Sequence, residues 1–362
     1  MTASIAVAPP SPPEPTPAAP TWHVAPDRGL VIPIPGLSAH PVVVAVDDTE
    51  LSHRAARVAA RLAYARGATL VLVSAVPGTA RHGMFSYILD DRARWVAEAR
   101  AELRELADTL VGALPGLRVE IATADGPPAP ALLAAMQRAS ASLAVVATRG
   151  RAHLARALGG SVANDIARGL DAPTLILWPK VADRLASNNE DENDAPIGRR
   201  VILPIADAVK HPRLVAEAFR AARVADGEVA ILVGPDATLR GAANRLATAA
   251  ITAGIDAHVV VMGSADWVSI AGAVTQELGD LLAMPTIADL PGTRPGIARI
   301  HRDIVTRCHV PLLCVPDLPN GESHGLAALY PDVPLSLLDA ARQDRKSTRL
   351  NSSHRCISYA VF

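Results

Sequence analysis

"SLAVVATRGRAHLARALGGSVANDIARGLDAPTLILWP", Ser142 to Pro179, is the stretch that decides the fold. It opens with "SLAVVA", a short aliphatic run of the kind buried between neighbours in a parallel sheet. A loop with glycines at its two ends follows, then the helical pattern "GSVANDIARGLD", then a second apolar run, "APTLILWP". Strand, loop, helix and strand make one winding of an open α/β sheet. In such a sheet the loop leaving the carboxyl end of a strand faces the ligand crevice.

Upstream, the same alternation begins at "PVVVAVDD", Pro41 to Asp48. The helical segment "SHRAARVAARLAYARG" comes next, with Ser52 placed to cap it and Gly67 to end it. "ATLVLVSAVPG" reads as a second strand. A long helix is predicted from Asp91 to about Leu114, with Trp95, Ala99, Leu103, Leu106 and Leu110 on one face. "LRVEIATADG" is a third strand and "APALLAAMQRAS" a third helix. Downstream, after the acidic, Asn-rich "VADRLASNNEDENDAPIG", the alternation restarts at "RRVILPIAD" and closes at "PLLCVPD". The ends of the two halves align without a gap: "NDIARGLDAPTLILWP" lies over "RDIVTRCHVPLLCVP", with Asp165 over Asp303 and Pro173 over Pro311. The halves therefore read as internal repeats, the second one shorter between its second and third strands. The expected fold class is α/β: two tandem, doubly wound, five-stranded parallel sheets of Rossmann-like type.

The expected boundaries follow. Residues 1–40 form a Pro-rich arm without enough apolar content for a core. The first domain spans 41–180, a linker 181–197, the second domain 198–317 and a tail 318–343. The remainder, "DRKSTRLNSSHRCISYAVF", is set apart. Back-translated, "DRKSTRLNSSH" and "ISYAVF" resemble the two constant parts of a sequencing-library adapter, with Arg355-Cys356 in place of its index. Residues 344–362 are accordingly read as an artefact of assembly, and the natural C-terminus is expected to differ.

Composition narrows the function classes. Half of the residues are apolar but only 3% are aromatic, which suits helices on a buried sheet. The formal charge of −1 argues against a mainly electrostatic nucleic-acid binder. No apolar run approaches the ~20 residues of a membrane span. The N-terminus lacks the basic start and apolar core of a secretory signal, and three cysteines make no disulfide framework. These features read as a cytoplasmic protein.

Two segments converge on the expected crevice: Asp47-Asp48 after the first strand, and Thr148 to Ser161 after the fourth. Gly150 allows close approach of backbone to a ligand. Gly160-Ser161 opens a helix, whose first N–H groups and dipole favour phosphate. Arg151 and Arg156 add positive charge. From spacing alone the loop reads equally well as a glycine turn with Ser161 as a helix cap.

Taken together, "VVVAVDD…ATLVLVSAV…ADG…LAVVATRGRAHLARALGGSVANDIARGLDAPTLILWP" resembles the universal stress protein family, closely over Pro41–Lys180 and weakly over Gly198–Pro316. The resemblance implies an adenine nucleotide alpha-hydrolase-like fold and a bound ATP or related adenine nucleotide. Nucleotide-binding members carry Gly, two residues, Gly, nine residues, then Gly-Ser or Gly-Thr. Gly150 and Gly160-Ser161 fit that pattern, while Ala147 stands where the first glycine belongs. Asp47 matches the aspartate that approaches adenine, and Ala75 falls at an adenine-lining position on the second strand. Carried over residue by residue, the implied site comprises Asp47, Ala75, Ala147, Thr148, Gly150, Arg151, Gly160, Ser161 and Val162. An alanine at 147 adds a methyl where backbone approaches the ligand, or strains the chain if φ is positive there. The resemblance also implies pairing of domains through the last strand, within one chain or in a homodimer, with "PTLILWP" and "PLLCVP" as the surfaces.

The second half reads as degenerate. Ala288 replaces Gly150, Ala298 replaces Gly160 and Arg299 replaces Ser161, while Pro291 and Pro295 remove backbone donors from the loop. Other patterns carry little. "GESHG", Gly321 to Gly325, lacks the strand before and the helix after that a nucleophile elbow needs. His301, Cys308, His309 and Cys314 fit no standard zinc spacing, and Cys314 lies inside an apolar strand. No metal and no catalytic residue is expected. Three functions stay open: a non-catalytic stress-response sensor that binds ATP, a nucleotide-free scaffold built of two stress domains, and, distantly, a slow ATPase.

Overall fold

The structure is a computed structural model, which describes residues 40–76, 88–148, 162–178, 197–205, 212–264, 267–286 and 310–316. The first half contains β1 (Val42–Ala45), α1 (Glu50–Ala65), β2 (Leu70–Val76), α2 (Ile88–Ala113), β3 (Val119–Asp125), α3 (Pro128–Arg138), β4 (Leu143–Ala147), α4 (Val162–Gly169) and β5 (Thr174–Leu177). The second contains β6 (Arg200–Pro204), α5 (Pro212–Val224), β7 (Glu228–Val233), α6 (Ala237–Thr252), β8 (Asp256–Val261), α7 (Trp267–Gln276), β9 (Leu281–Pro285) and β10 (Leu312–Val315). The β2-to-β3 connection runs from 77 to 118, while its counterpart between β7 and β8 runs only from 234 to 255.

All ten strands lie in one sheet, in the order β3-β2-β1-β4-β5-β10-β9-β6-β7-β8. Each half keeps five parallel strands, and a single antiparallel pair joins them, with Leu312 opposite Ile176, Leu313 opposite Leu175 and Cys314 opposite Thr174. Read outward from that seam, both halves have the same strand order. Right-handed crossovers put α1 and α2 on one face and α3 and α4 on the other. Because the seam is antiparallel, α5 and α6 share the face of α1 and α2.

The central strands are buried on both faces, which is why they read as unbroken aliphatic runs. Val42, Val43 and Val44 of β1 are inaccessible, as are Val201, Ile202 and Leu203 of β6. Each such side chain contributes roughly 1.5–3 kcal/mol by leaving water. The seam is as dry: Leu175, Leu177, Leu312 and Leu313 are buried, and burial pushes the Cys314 thiol up to about 12. Cys314 is thus a core side chain.

Three local expectations meet different outcomes. Gly67 ends α1 as expected, at φ +60°, with its N–H on the Tyr64 carbonyl at 3.0 Å and the next N–H, of Ala68, on Ala63 at 2.9 Å. Only a glycine takes that left-handed position without strain. The start of α1 corrects the expectation: the cap is Thr49, whose hydroxyl accepts from Ser52 N at 3.3 Å. Ser52 lies inside the first turn and turns its hydroxyl back to the loop before the helix. Along α2, Leu103, Leu106 and Leu110 are buried as expected, but Trp95 is 39% exposed because the first turns of the helix stand away from the core.

Candidate functional site

The site is built by strand register. β1 pairs with β2 as Ala45 opposite Val73, and with β4 as Val44 opposite Val145. Continuing both ladders past the end of β1 brings Asp47 level with Ala75 on one side and Thr148 on the other. Backbone bonds continue past the strand ends: Val46 N donates to Val73 O at 2.8 Å between β1 and β2, and Thr148 N to Leu177 O at 2.8 Å between β4 and β5. Between β1 and β4 the strand order reverses, so these residues stand at the switch point where open α/β sheets bind ligands.

Asp47 is exposed yet held in place. Its Oδ1 accepts from Thr49 N at 3.0 Å and from the Thr49 hydroxyl, closing an Asx turn. Its own N–H donates to Ser52 Oγ at 3.1 Å, and the Ser52 hydroxyl points at Asp47 O at 2.8 Å and Thr49 O at 2.9 Å. Ser52 itself is buried. The carboxylate is thus fixed on the crevice rim before any ligand arrives. Sequence reading named Asp47 but missed Thr49 and Ser52 as its supports.

Ala147 is the last residue of β4 and sits in the ladder opposite Leu177. Its backbone is extended. The described non-glycine residues with positive φ are Ser140, Asp226 and Leu278. The methyl at 147 therefore introduces no backbone strain. Ala75, Ala147 and Val162 are all partly buried against the hydrophobic core. Val162 opens α4, whose Ala163, Ile166 and Ala167 anchor it to the sheet while its first turn faces the carboxyl ends of the strands. Gly150, Arg151, Gly160 and Ser161 lie outside the described residues.

One rim element was not foreseen. Arg92, in the first turns of α2, pairs with Asp125 at the end of β3 at 2.5 Å, and Asp125 is level with Val76. The pair joins two elements 33 positions apart, so no local pattern announces it. Gly126 follows at φ +123°, its N–H on Val76 O at 3.0 Å, which closes the edge of the sheet.

The second half repeats the frame with other residues. Ile205 N donates to Leu232 O at 2.9 Å and Thr286 N to Val315 O at 2.8 Å, the counterparts of the two ladder bonds above. By that equivalence Gly234 stands for Ala75, Pro285 for Ala147 and Thr286 for Thr148, and in the sequence Ala206 follows Ile205 as Asp47 follows Val46. Ala206, Ala288, Pro291, Pro295, Ala298 and Arg299 lie outside the described residues, as do His301, Cys308, His309 and Gly321–Gly325. Among the described residues no group of three or more His, Cys, Asp or Glu could hold a metal ion, and no helix is long and apolar enough to cross a membrane.

Comparison with known proteins places this geometry. The universal stress protein family matches residues 39–177. A universal stress protein from Archaeoglobus fulgidus DSM 4304 superposes over 78% of this chain and 97% of its own, with a TM-score of 0.61 at 15% identity. A universal stress protein in complex with cAMP matches at 30% identity over 39% of this chain and 98% of its own, with a TM-score of 0.33. One from Archaeoglobus fulgidus in complex with dAMP matches at 22% identity over 38% and 96%, with a TM-score of 0.29. No curated protein matches. The family match spans every strand of the first half and the whole described crevice, and through it the chain belongs to the universal stress protein family.

Proposed function

We propose that the first half binds ATP or a related adenine nucleotide at the carboxyl ends of β1, β2 and β4, as a non-catalytic sensor in the response to stress. The observation that carries this reading is the fixed Asp47, level with Ala75 and Thr148 at the switch point of the sheet. In this reading Asp47 accepts a hydrogen bond on the adenine side, and the Ala75 methyl packs against the base. Backbone at Ala147, Thr148 and Gly150 passes close to the ribose. Gly160, Ser161 and Val162, at the start of α4, hold phosphate oxygens with free N–H groups, and Arg151 adds charge. In this reading these groups hold and orient the nucleotide, and binding rather than hydrolysis is the output.

Calorimetry tests this with ATP, and with cAMP and dAMP as smaller members of the ligand class. The expected result is binding by the natural chain and none by Gly160→Asp, which would put a carboxylate among the phosphate-facing N–H groups. Equal heats for both proteins would sink the assignment. ATP turnover above the buffer rate, lost in Gly160→Asp, would move the reading to a slow ATPase.

A second reading is favoured by the β5–β10 pair. A chain that satisfies the edge of one half with the edge of the other can serve as a nucleotide-free scaffold in the cytoplasm, closed on itself. Protein that purifies without nucleotide and binds none of the three ligands would favour it.

A further inference from the structure

α5 is covered on the side where a helix lying on a sheet ordinarily meets water. Leu214, Val215, Ala218, Phe219 and Ala222 face the sheet at helical spacing, all buried. The opposite stripe is Arg213, Glu217, Arg220 and Val224. Yet Glu217 is only 2% exposed and Arg220 only 4%, with 3.6 Å between their charged groups. One Glu217 oxygen, Oε2, is buried without a hydrogen-bond partner. Charged side chains on an outward stripe leave water only when something lies on them. Among the described residues, the elements that pack most closely on α5 are β6, β7, β9 and β10, all on its sheet side.

The same cover extends toward α1. Val58 and Leu62, on the flank of α1 that faces the seam, are buried. Between α1 and α5 run β5 and β10, every residue of which is buried although its side chains alternate between the two faces. The groove over the seam, on the face of α1 and α5, is therefore filled.

We propose that residues 318–343 dock in this groove and strap the two halves together. The segment leaves the sheet from β10, a seam strand, so it starts at the groove's own end. It carries Leu326, Leu329, Leu335, Leu337 and Leu338 for the apolar floor. Asp332 and Asp339 match the arginines of α5, and Arg342 matches Glu217. Two other segments fit less well. Residues 1–39 join the sheet at β1, with β4 between it and the seam strands. Residues 181–196 are acidic but carry Leu185 as their one leucine.

Photo-crosslinking in the full chain tests this. Arg213 and Val224 flank the buried pair on the same stripe and are half-buried, so either can be replaced by benzoylphenylalanine with the fold intact, as circular dichroism would check. After irradiation, peptide mapping is expected to join each site to residues 318–343. Crosslinks to 1–39, to 181–196 or to a second copy would overturn the proposal, and so would folded protein that crosslinks to nothing. As a second measurement, deleting 318–343 is expected to speed amide exchange in α5 at least tenfold while deleting 1–39 leaves it unchanged. The reverse pattern would also overturn the proposal.

Discussion

The two halves of the chain carry the same frame and different chemistry. Val46 and Ile205 make the same ladder bond one residue past their strands, and so do Thr148 and Thr286. What stands next to those bonds differs: Asp47 against Ala206, Ala147 against Pro285. A parallel ladder is held by backbone bonds and by the apolar residues inside it, so the residues just beyond its end can change without moving it. The difference teaches that the fold does not dictate the residues at the carboxyl ends of these strands. It also means that the second half serves as an internal control for the first.

The largest expected effect lies where the halves meet. Leu313 is buried opposite Leu175, and Leu313→Ala should cost about 2–5 kcal/mol. If the seam makes one core of the ten strands, urea unfolding stays a single transition. Amide exchange then accelerates together in β1 and β6. Acceleration confined to β6 and its neighbours would show two halves that unfold independently and would weaken the scaffold reading.

Next comes conversion of the first crevice into the second. Asp47→Ala gives the end of β1 the residue type that follows Ile205 in the sequence of the second half, and removes an acceptor from the Thr49 N–H and from the proposed adenine contact. A hydrogen bond to a charged group is worth roughly 1.5–3 kcal/mol, so nucleotide affinity should fall about tenfold or more. The melting temperature should fall only slightly, because Thr49 still caps α1. Unchanged affinity in calorimetry would mean that Asp47 supports its own turn and nothing else.

How much of this was legible in the sequence differs by scale. β1, β4 and β5 announced themselves because strands buried on both faces admit few polar residues. Gly67 announced the end of α1 because the αL position has few other occupants. The start of α1 misled because Thr49 and Ser52 both satisfy the cap preference. The turn at Asp47 decides between them: it brings the helix start to Glu50 and leaves Ser52 within the first turn. The Arg92–Asp125 pair was invisible because exposed ion pairs between distant elements leave no periodicity. Asp47, Ala75 and Thr148 could be named from the sequence, but only the register of β1 with β2 and β4 puts them on one level.

Ala147 separates two accounts of the missing glycine. Since Ala147 is extended and laddered to Leu177, a glycine relieves no strain there and loosens the strand. Ala147→Gly is expected to cost about 0.5–1 kcal/mol of stability and to change nucleotide affinity less than about threefold. A tenfold gain in affinity would show that the methyl crowds the ligand and that the first half is itself partway to the state of the second.

The smallest effect contrasts the starts of α1 and α5. Glu50 lies in the first turn of α1, with Arg57 at 2.8 Å and Arg54 at 3.2 Å, while α5 starts with Pro212 and has no acid in its first turn. Hydrogen bonds from Arg57 first, then Arg54, hold the Glu50 carboxyl below its ordinary value. A carboxylate depressed in the folded state adds stability above its unfolded pKa of about 4.3, and that stability is lost as pH falls. Because the side chain is mostly exposed, screening keeps the gain at or below about 0.5 kcal/mol. Glu50→Gln should therefore melt at most about 1–2 °C lower at pH 7 and no lower at pH 3. A difference that persists at pH 3 would mean that Glu50 acts by packing and not by charge, and that the helix start of the second half has lost nothing electrostatic.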